Sequence, residues 1–255
     1  MSKRDRQTRL KEQYFFDCKC DYCHSGAENE CRALICPKCQ GPVIYNVDLT
    51  HRCLQCHAEN IFDAGVILRK VDLIKSKLDE SRKSDFDGEL KKLETIEDEL
   101  KGLVYWKSPL FVKIKSLLID CAQENGDLDS AIRHVKQELD LSDRTYGSNS
   151  LESIFTKLKY VNLEWQRLLR DIENQSSEKT LILKELKELL NVVQVTRARL
   201  KELLNTTCIF GAEATFEKEI AYMSQAQTNI NKQIDLLLGR CEKSDETTTS
   251  NSGSA

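Results

Sequence analysis

Eight of the chain's 11 cysteines crowd between Cys18 and Cys56. Cys36-Pro37-Lys38-Cys39 and Cys53-Leu54-Gln55-Cys56 are two C-x-x-C knuckles separated by a short strand-like segment, Val43 to Arg52. Each knuckle turns two thiolates back towards one point, and two knuckles together complete a tetrahedral sulfur shell around Zn²⁺. Four sulfurs leave no open position for water or substrate, so this site is structural and not catalytic. Gly41, just after the first knuckle, fits the tight turn such a hairpin needs. A redox dithiol is the competing chemistry for a C-x-x-C pair, and two knuckles at ribbon spacing argue against it.

Cys18, Cys20 and Cys23 form a second group, C-x-C-x-x-C, which supplies three ligands. The fourth is either Cys31, which would make two four-cysteine sites out of eight cysteines, or a residue on a segment outside this chain. One or two zinc ions are therefore expected. His24 sits directly beside Cys23, which makes joint ligation awkward, and His51 and His57 are expected to face solvent. Cys121, Cys208 and Cys241 fall in later, mostly helical patterns and read as small apolar residues.

These sites need a scaffold, and the composition says which kind. In 255 residues there are 10 glycines and 3 prolines, and 31% of positions are charged, which suits a helix-rich globular chain. The formal net charge of −3 gives no argument for a nucleic-acid partner. No run approaches the roughly 18 apolar residues of a membrane span, and Met1 to Lys11 lacks the apolar middle of a signal peptide. The expected home is cytoplasmic or nuclear, where disulfides are rare and clustered cysteines bind metal.

The fold class predicted is mainly α, with a small cysteine-rich zinc-binding N-terminal region before an α-helical array. Four regions are expected: 1–30 with the first zinc motif, 31–63 with the zinc ribbon, 64–240 helical, and 241–255 a small polar tail without pattern. Val71, Ile74 and Leu78 mark one helix, and Leu90, Leu93, Leu100 and Val104 the next. After Pro109 the pattern repeats through Leu117, Leu118 and Ala122, a turn at Asn125-Gly126-Asp127, and Ala131, Val135 and Leu139. The turns Asp85-Phe86-Asp87-Gly88 and Asp127-Leu128-Asp129-Ser130 share one form and are expected to open equivalent helices, at an interval near the ~40-residue class of helix-pair repeats. A third pair is expected from Ser150 through Leu158, Val161 and Trp165, returning from Ser177 towards Leu204. The last helix should carry one apolar face through Phe216, Ile220, Met223, Ile230, Ile234 and Leu237. Stacked pairs would form a solenoid with a concave protein-binding surface, and a plain helical bundle is the alternative. Charged positions such as Glu185 are expected on solvated faces.

The segment Leu10-Lys11-Glu12-Gln13-Tyr14-Phe15-Phe16-Asp17-Cys18-Lys19-Cys20-Asp21-Tyr22-Cys23 resembles the post-SET motif of the SET and MYND domain-containing lysine methyltransferases. The zinc ribbon just after it is similar to the same family, and Gly126 to Gly147 resembles a tetratricopeptide repeat, with the bulky and small positions around it only loosely met. The resemblance implies that Cys18, Cys20 and Cys23 bind zinc with a fourth cysteine from a SET core. It also implies that Phe16 packs on the adenine of S-adenosylmethionine and that Tyr14 lies near the target-lysine channel; without that core, packing over the zinc knuckle is the simpler role for both.

Upstream of this motif the chain offers only Met1 to Arg9. The family's glycine-rich cofactor loop, catalytic tyrosine and MYND module are not in this sequence. Methyl transfer needs a water-excluding pocket that aligns the methyl donor with a lysine amine, so the chain alone is expected to be inactive, with S-adenosylmethionine bound only in a full-length parent. Three functions are in contention: a zinc-stabilised protein-interaction region of such an enzyme, a residual methyltransferase completed by another polypeptide, and a nucleic-acid-binding ribbon. The last has Arg32, Lys38 and Arg52 in its favour but only Tyr45 as an aromatic between the knuckles.

Overall fold

A computed structural model of the chain describes residues 11–12, 30–46, 48–80, 88–175, 177–206 and 213–239. Among these the fold is mainly α, as expected. Strands β1 (Leu34–Ile35), β2 (Pro42–Tyr45) and β3 (His51–Cys53) are followed by helices α1 (Ala64–Glu80), α2 (Glu89–Lys101), α3 (Pro109–Glu124), α4 (Leu128–Tyr146), α5 (Leu151–Glu173), α6 (Lys179–Thr206) and α7 (Glu213–Leu238). No described helix is long and apolar enough to cross a membrane. The chain divides into two compact units, Met1–Thr156 and Lys157–Ala255.

In the first unit the sheet is antiparallel in the order β1-β2-β3, with Leu34 opposite Val43 and Val43 opposite Cys53. These three residues point the same way, and all are buried. They join one hydrophobic cluster with Val71, Ile74 and Leu78 of α1, Leu93 and Leu100 of α2, and Ile114 and Leu118 of α3. The predicted stripes on α1 and α2 are thus the faces that meet the sheet and each other.

Val104 departs from its expected place. It lies beyond the end of α2, where the amides of Leu103 and Val104 both turn back to the Leu100 carbonyl. From there Val104 forms an antiparallel bridge with Leu34. Its burial comes from the sheet side and not from a helical face.

Local chemistry accounts for the helix starts. Ser108 caps α3 by accepting from the Leu110 amide, and Pro109 occupies the first turn, where a missing N–H costs nothing. Asp127 caps α4 by accepting from the Ser130 amide at 3.0 Å, and Gly126 supplies the left-handed backbone before it (φ 71°). The turn before α2 is not its equivalent. Its N-cap is Gly88, at φ 98° and without a side-chain cap, and α2 begins at Glu89. Residues Ser84 to Asp87 lie outside the described residues, as does the predicted tail 241–255.

Between α2, α3 and α4 polar contacts are buried beside the apolar ones. Lys115 donates to Glu97 and Gln137, each at 2.7 Å, and Ser116 donates to Glu138 at 3.1 Å. Lys115, Glu97 and Glu138 are all buried, so the pairing offsets a desolvation cost that unpaired charges could not meet. His134 sits on the same face of α4 with 4% of its surface exposed.

The second unit contains α6 and α7 together with most of α5. Ile182, Leu186, Leu189, Val193, Thr196 and Leu200 are buried on α6 in steps of four and three. On α7 Phe216, Met223, Ile230 and Ile234 are buried, with Ile220 and Leu237 half-buried on the same stripe. Two such stripes facing each other make a coiled-coil-like seam. Glu185 is not simply solvated: Arg167 of α5 donates to it at 2.8 Å, and to Glu164 and Asp171 at 2.7 and 2.9 Å.

His134 gives the first unit a defined acid sensitivity. Burial disfavours its charged form, and Lys115 and Arg133 push the same way, with Glu97 and Gln137 opposing more weakly, so its pKa is lowered from 6.5. The unfolded chain then binds a proton that the native state refuses, and stability falls as pH drops below about 6.5. Urea midpoints measured from neutral to mildly acidic pH should show this fall. His134→Leu should flatten it, leaving the neutral-pH unfolding free energy within about 1–2 kcal/mol of the parent.

Candidate metal centre

The two knuckles are built alike. In the first, the Gln40 amide donates to the Cys36 carbonyl (2.9 Å) and the Cys36 amide to the Gly41 carbonyl (2.9 Å). In the second, the His57 amide donates to Cys53 (3.1 Å) and the Cys53 amide to Ala58 (2.9 Å). The residue after each second cysteine takes the left-handed conformation, Gln40 at φ 61° and His57 at φ 58°. Each loop is thereby closed on its own backbone with both sulfurs turned inward.

The consequence is a single cluster. Cys36, Cys39, Cys53 and Cys56 place their Sγ atoms within 4.8 Å of one another. Across the knuckles, Cys36 to Cys56 is 3.7 Å and Cys39 to Cys53 is 3.5 Å. Zn–S bonds of about 2.3 Å at tetrahedral angles require S···S edges of about 3.8 Å, so the spacing fits zinc closely. Cys36 and Cys53 are fully buried, Cys39 is half-buried and Cys56 exposed.

The thiols themselves argue for a cation. Desolvation works against the Cys53 thiolate, but the Cys56 and Gln55 amides, with the Cys39 and Cys56 thiols, outweigh it and bring Cys53 down to about 7. The Gly41 amide pulls Cys39 down, yet desolvation and the three neighbouring sulfurs push it up to about 12. Four thiolates at this spacing would repel one another. A dication removes that conflict, since it accepts four thiolates at once. With all four donors supplied by the chain, a zinc ion held here would have a closed shell, as structural zinc does.

Gly41 matters here for space and not for left-handed geometry. A Cβ at this position would lie 2.6 Å from Gln55 Oε1, 2.7 Å from Gln55 Cβ and 3.2 Å from Cys39 Sγ. His51 is not the solvent-facing residue expected from its position. It is buried, stacks on Phe62 with ring centroids 4.4 Å apart, and takes the Phe62 amide on Nε2 while Nδ1 meets the Leu49 carbonyl at 3.1 Å. It braces the end of the hairpin. His57 is exposed as expected, with Nδ1 3.2 Å from an Arg52 guanidinium nitrogen.

Cys31 stands apart from the four-sulfur cluster, in the helical residues just before β1. Its suggested partners Cys18, Cys20 and Cys23, and the aromatics Tyr14 and Phe16, lie outside the described residues. Cys121 is buried in the helical core, where desolvation raises its thiol, in keeping with an apolar role. Cys208 and Cys241 are outside the described residues. Missed in the sequence were the two left-handed positions and the bracing role of His51. The matching offset of Gln40 and His57 from their cysteines was the available signal.

Comparison with known proteins adds a relative to this geometry. The chain is similar to the protein-lysine N-methyltransferase SMYD4 of Pongo abelii, with 24% identity over 161 residues. The resemblance to a SET and MYND domain-containing methyltransferase, member 4, therefore stands. The match takes in 60% of this chain and 20% of the relative, so the chain spans about a fifth of the length of the curated protein it matches. No protein-family model matches the chain.

Because Gln55 Cβ is a fixed atom, Gly41→Ala should force the second knuckle outward. Zinc affinity by chelator competition is expected to fall roughly tenfold or more. The double variant Gly41→Ala with Gln55→Gly should recover much of it, which a general loss of stability would not.

Proposed function

We propose that this chain is the zinc-stabilised, helical protein-interaction region of a SET and MYND domain-containing, S-adenosylmethionine-dependent protein-lysine methyltransferase. The observation that carries the reading is the closed four-thiol centre of Cys36, Cys39, Cys53 and Cys56 set against a helical core. Such a centre organises backbone and performs no chemistry, because its ligand shell has no vacancy. The similarity to SMYD4 supplies the enzyme class.

In this reading the helices form tetratricopeptide-like pairs whose open face holds a protein partner, and the protein works in the cytoplasm or nucleus. The pairing of α3 with α4 through the capped turn at Asp127 is the local feature in its favour. The post-SET-like segment contributes Cys18, Cys20 and Cys23 to a second zinc with Cys31, and Tyr14 and Phe16 face a SET core when one is present. Methyl transfer belongs to that core, which would bring the cofactor pocket.

Elemental analysis of the purified chain, paired with a methyl-transfer assay, tests this. Two zinc ions per chain are expected, falling to one in Cys31→Ala, with no labelled methyl group passing from S-adenosylmethionine to lysine peptides. One zinc in both proteins would assign the fourth ligand of the N-terminal motif to another segment. Methylation of lysine by the chain alone would overturn the non-catalytic reading.

A further inference from the structure

The first unit shows no seam between the metal centre and the helices. The residue before ligand Cys36 is Ile35, whose amide donates to the Leu103 carbonyl at 3.1 Å, and the Tyr105 amide donates to Ala33 at 2.9 Å. With the Leu34–Val104 bridge between them, these bonds make the α2–α3 connection an extra strand on the free edge of β1. Glu30, just ahead of β1, forms an ion pair with Lys107, just ahead of α3. The two most buried ligands, Cys36 and Cys53, belong to the same apolar cluster as Leu78, Leu100 and Leu118.

Each side of this clasp is incomplete without the other. Strands of two to four residues cannot hold themselves together, and three short strands bury too little apolar surface to be stable alone. Helix α2 in turn relies on Leu34, Val43 and Val104 to cover its end.

We propose, building on the zinc reading above, that the metal governs the folding of the helices α1 to α4: zinc and the first unit form one cooperative structure, in which metal binding is helix stability and helix packing is metal affinity. The second unit, whose α6 and α7 bury their stripes against each other, is outside this linkage. Because coupling is reciprocal, a change in the clasp that touches no sulfur must weaken the metal, and removing the metal must melt helices that hold no ligand.

The test uses the full chain. Zinc content is measured first, and a chelator is then titrated while zinc release and ellipticity at 222 nm are followed together. Among the described residues from Leu34 to Asp63 there is no helix, so helical signal lost from α1 to α4 reports the coupling. The expected loss approaches the share held by α1 to α4, nearly half of the described helix, with the remainder melting in a separate zinc-independent transition. Val104→Ala, which removes no ligand, should bind zinc roughly fivefold more weakly or worse, and Tyr105→Pro, which deletes the amide bonded to Ala33, should be weaker still. Full zinc release with unchanged ellipticity, or Val104→Ala with the parent's zinc affinity, would overturn the linkage while leaving the metal centre standing. A chain that neither retains nor takes up zinc would overturn the metal reading and the linkage together.

Discussion

Four sulfurs brought within bonding distance of one point make a demand that the rest of the first unit answers. Thiolates at this spacing repel one another, so without a cation the four cannot all ionise together. The pull between Cys53, drawn down to about 7, and Cys39, pushed up to about 12, is that demand expressed in protons. A dication meets it, but only if the backbone holds all four sulfurs at the corners of a tetrahedron. That requirement sets the two left-handed residues, the bare α-carbon of Gly41 and the buried brace of His51. It also explains why so short a hairpin is worth building on helices.

The helical side has its own internal logic, which is polar as much as apolar. Where α2, α3 and α4 meet, Lys115 lies among Glu97 and Gln137, and Ser116 reaches Glu138. In the second unit Arg167 gathers Glu164, Asp171 and Glu185. Apolar stripes tell helices to pack but tolerate sliding by a turn. A buried charge pair does not, because a slip strands both charges away from water. These pairs set which turn meets which, while the leucines and isoleucines supply the driving force.

A small cysteine cluster clasped to a helical unit is compatible with the interaction role proposed above. The thiols complete their shell within the chain, so the centre asks nothing of substrate or cofactor. What it provides is a fixed edge, with β1 bound on one side to β2 and on the other to the connection between α2 and α3.

Much of this was written in the linear order of residues. The clustered ribbon cysteines could be read from C-x-x-C spacing alone, because each pair is three residues apart and the loop that closes it is local. The helices followed from apolar periodicity, and the Asp127 cap and Gly126 turn from residue type. The side of α2's stripe on which Val104 falls could not be read, because a valine three residues past a helix looks like its continuation until a strand 70 positions earlier is found to pair with it. His51 looked exposed for the same reason, its cover being Phe62, eleven residues on. Glu185 looked solvated until α5 brought Arg167 against it. The sequence by itself determined the two C-x-x-C knuckles, the helices and most of their apolar faces, which depend on near neighbours; the tertiary structure alone decided which faces meet and joined the four-sulfur cluster to the helical core, because those choices rest on contacts between residues that only folding brings together.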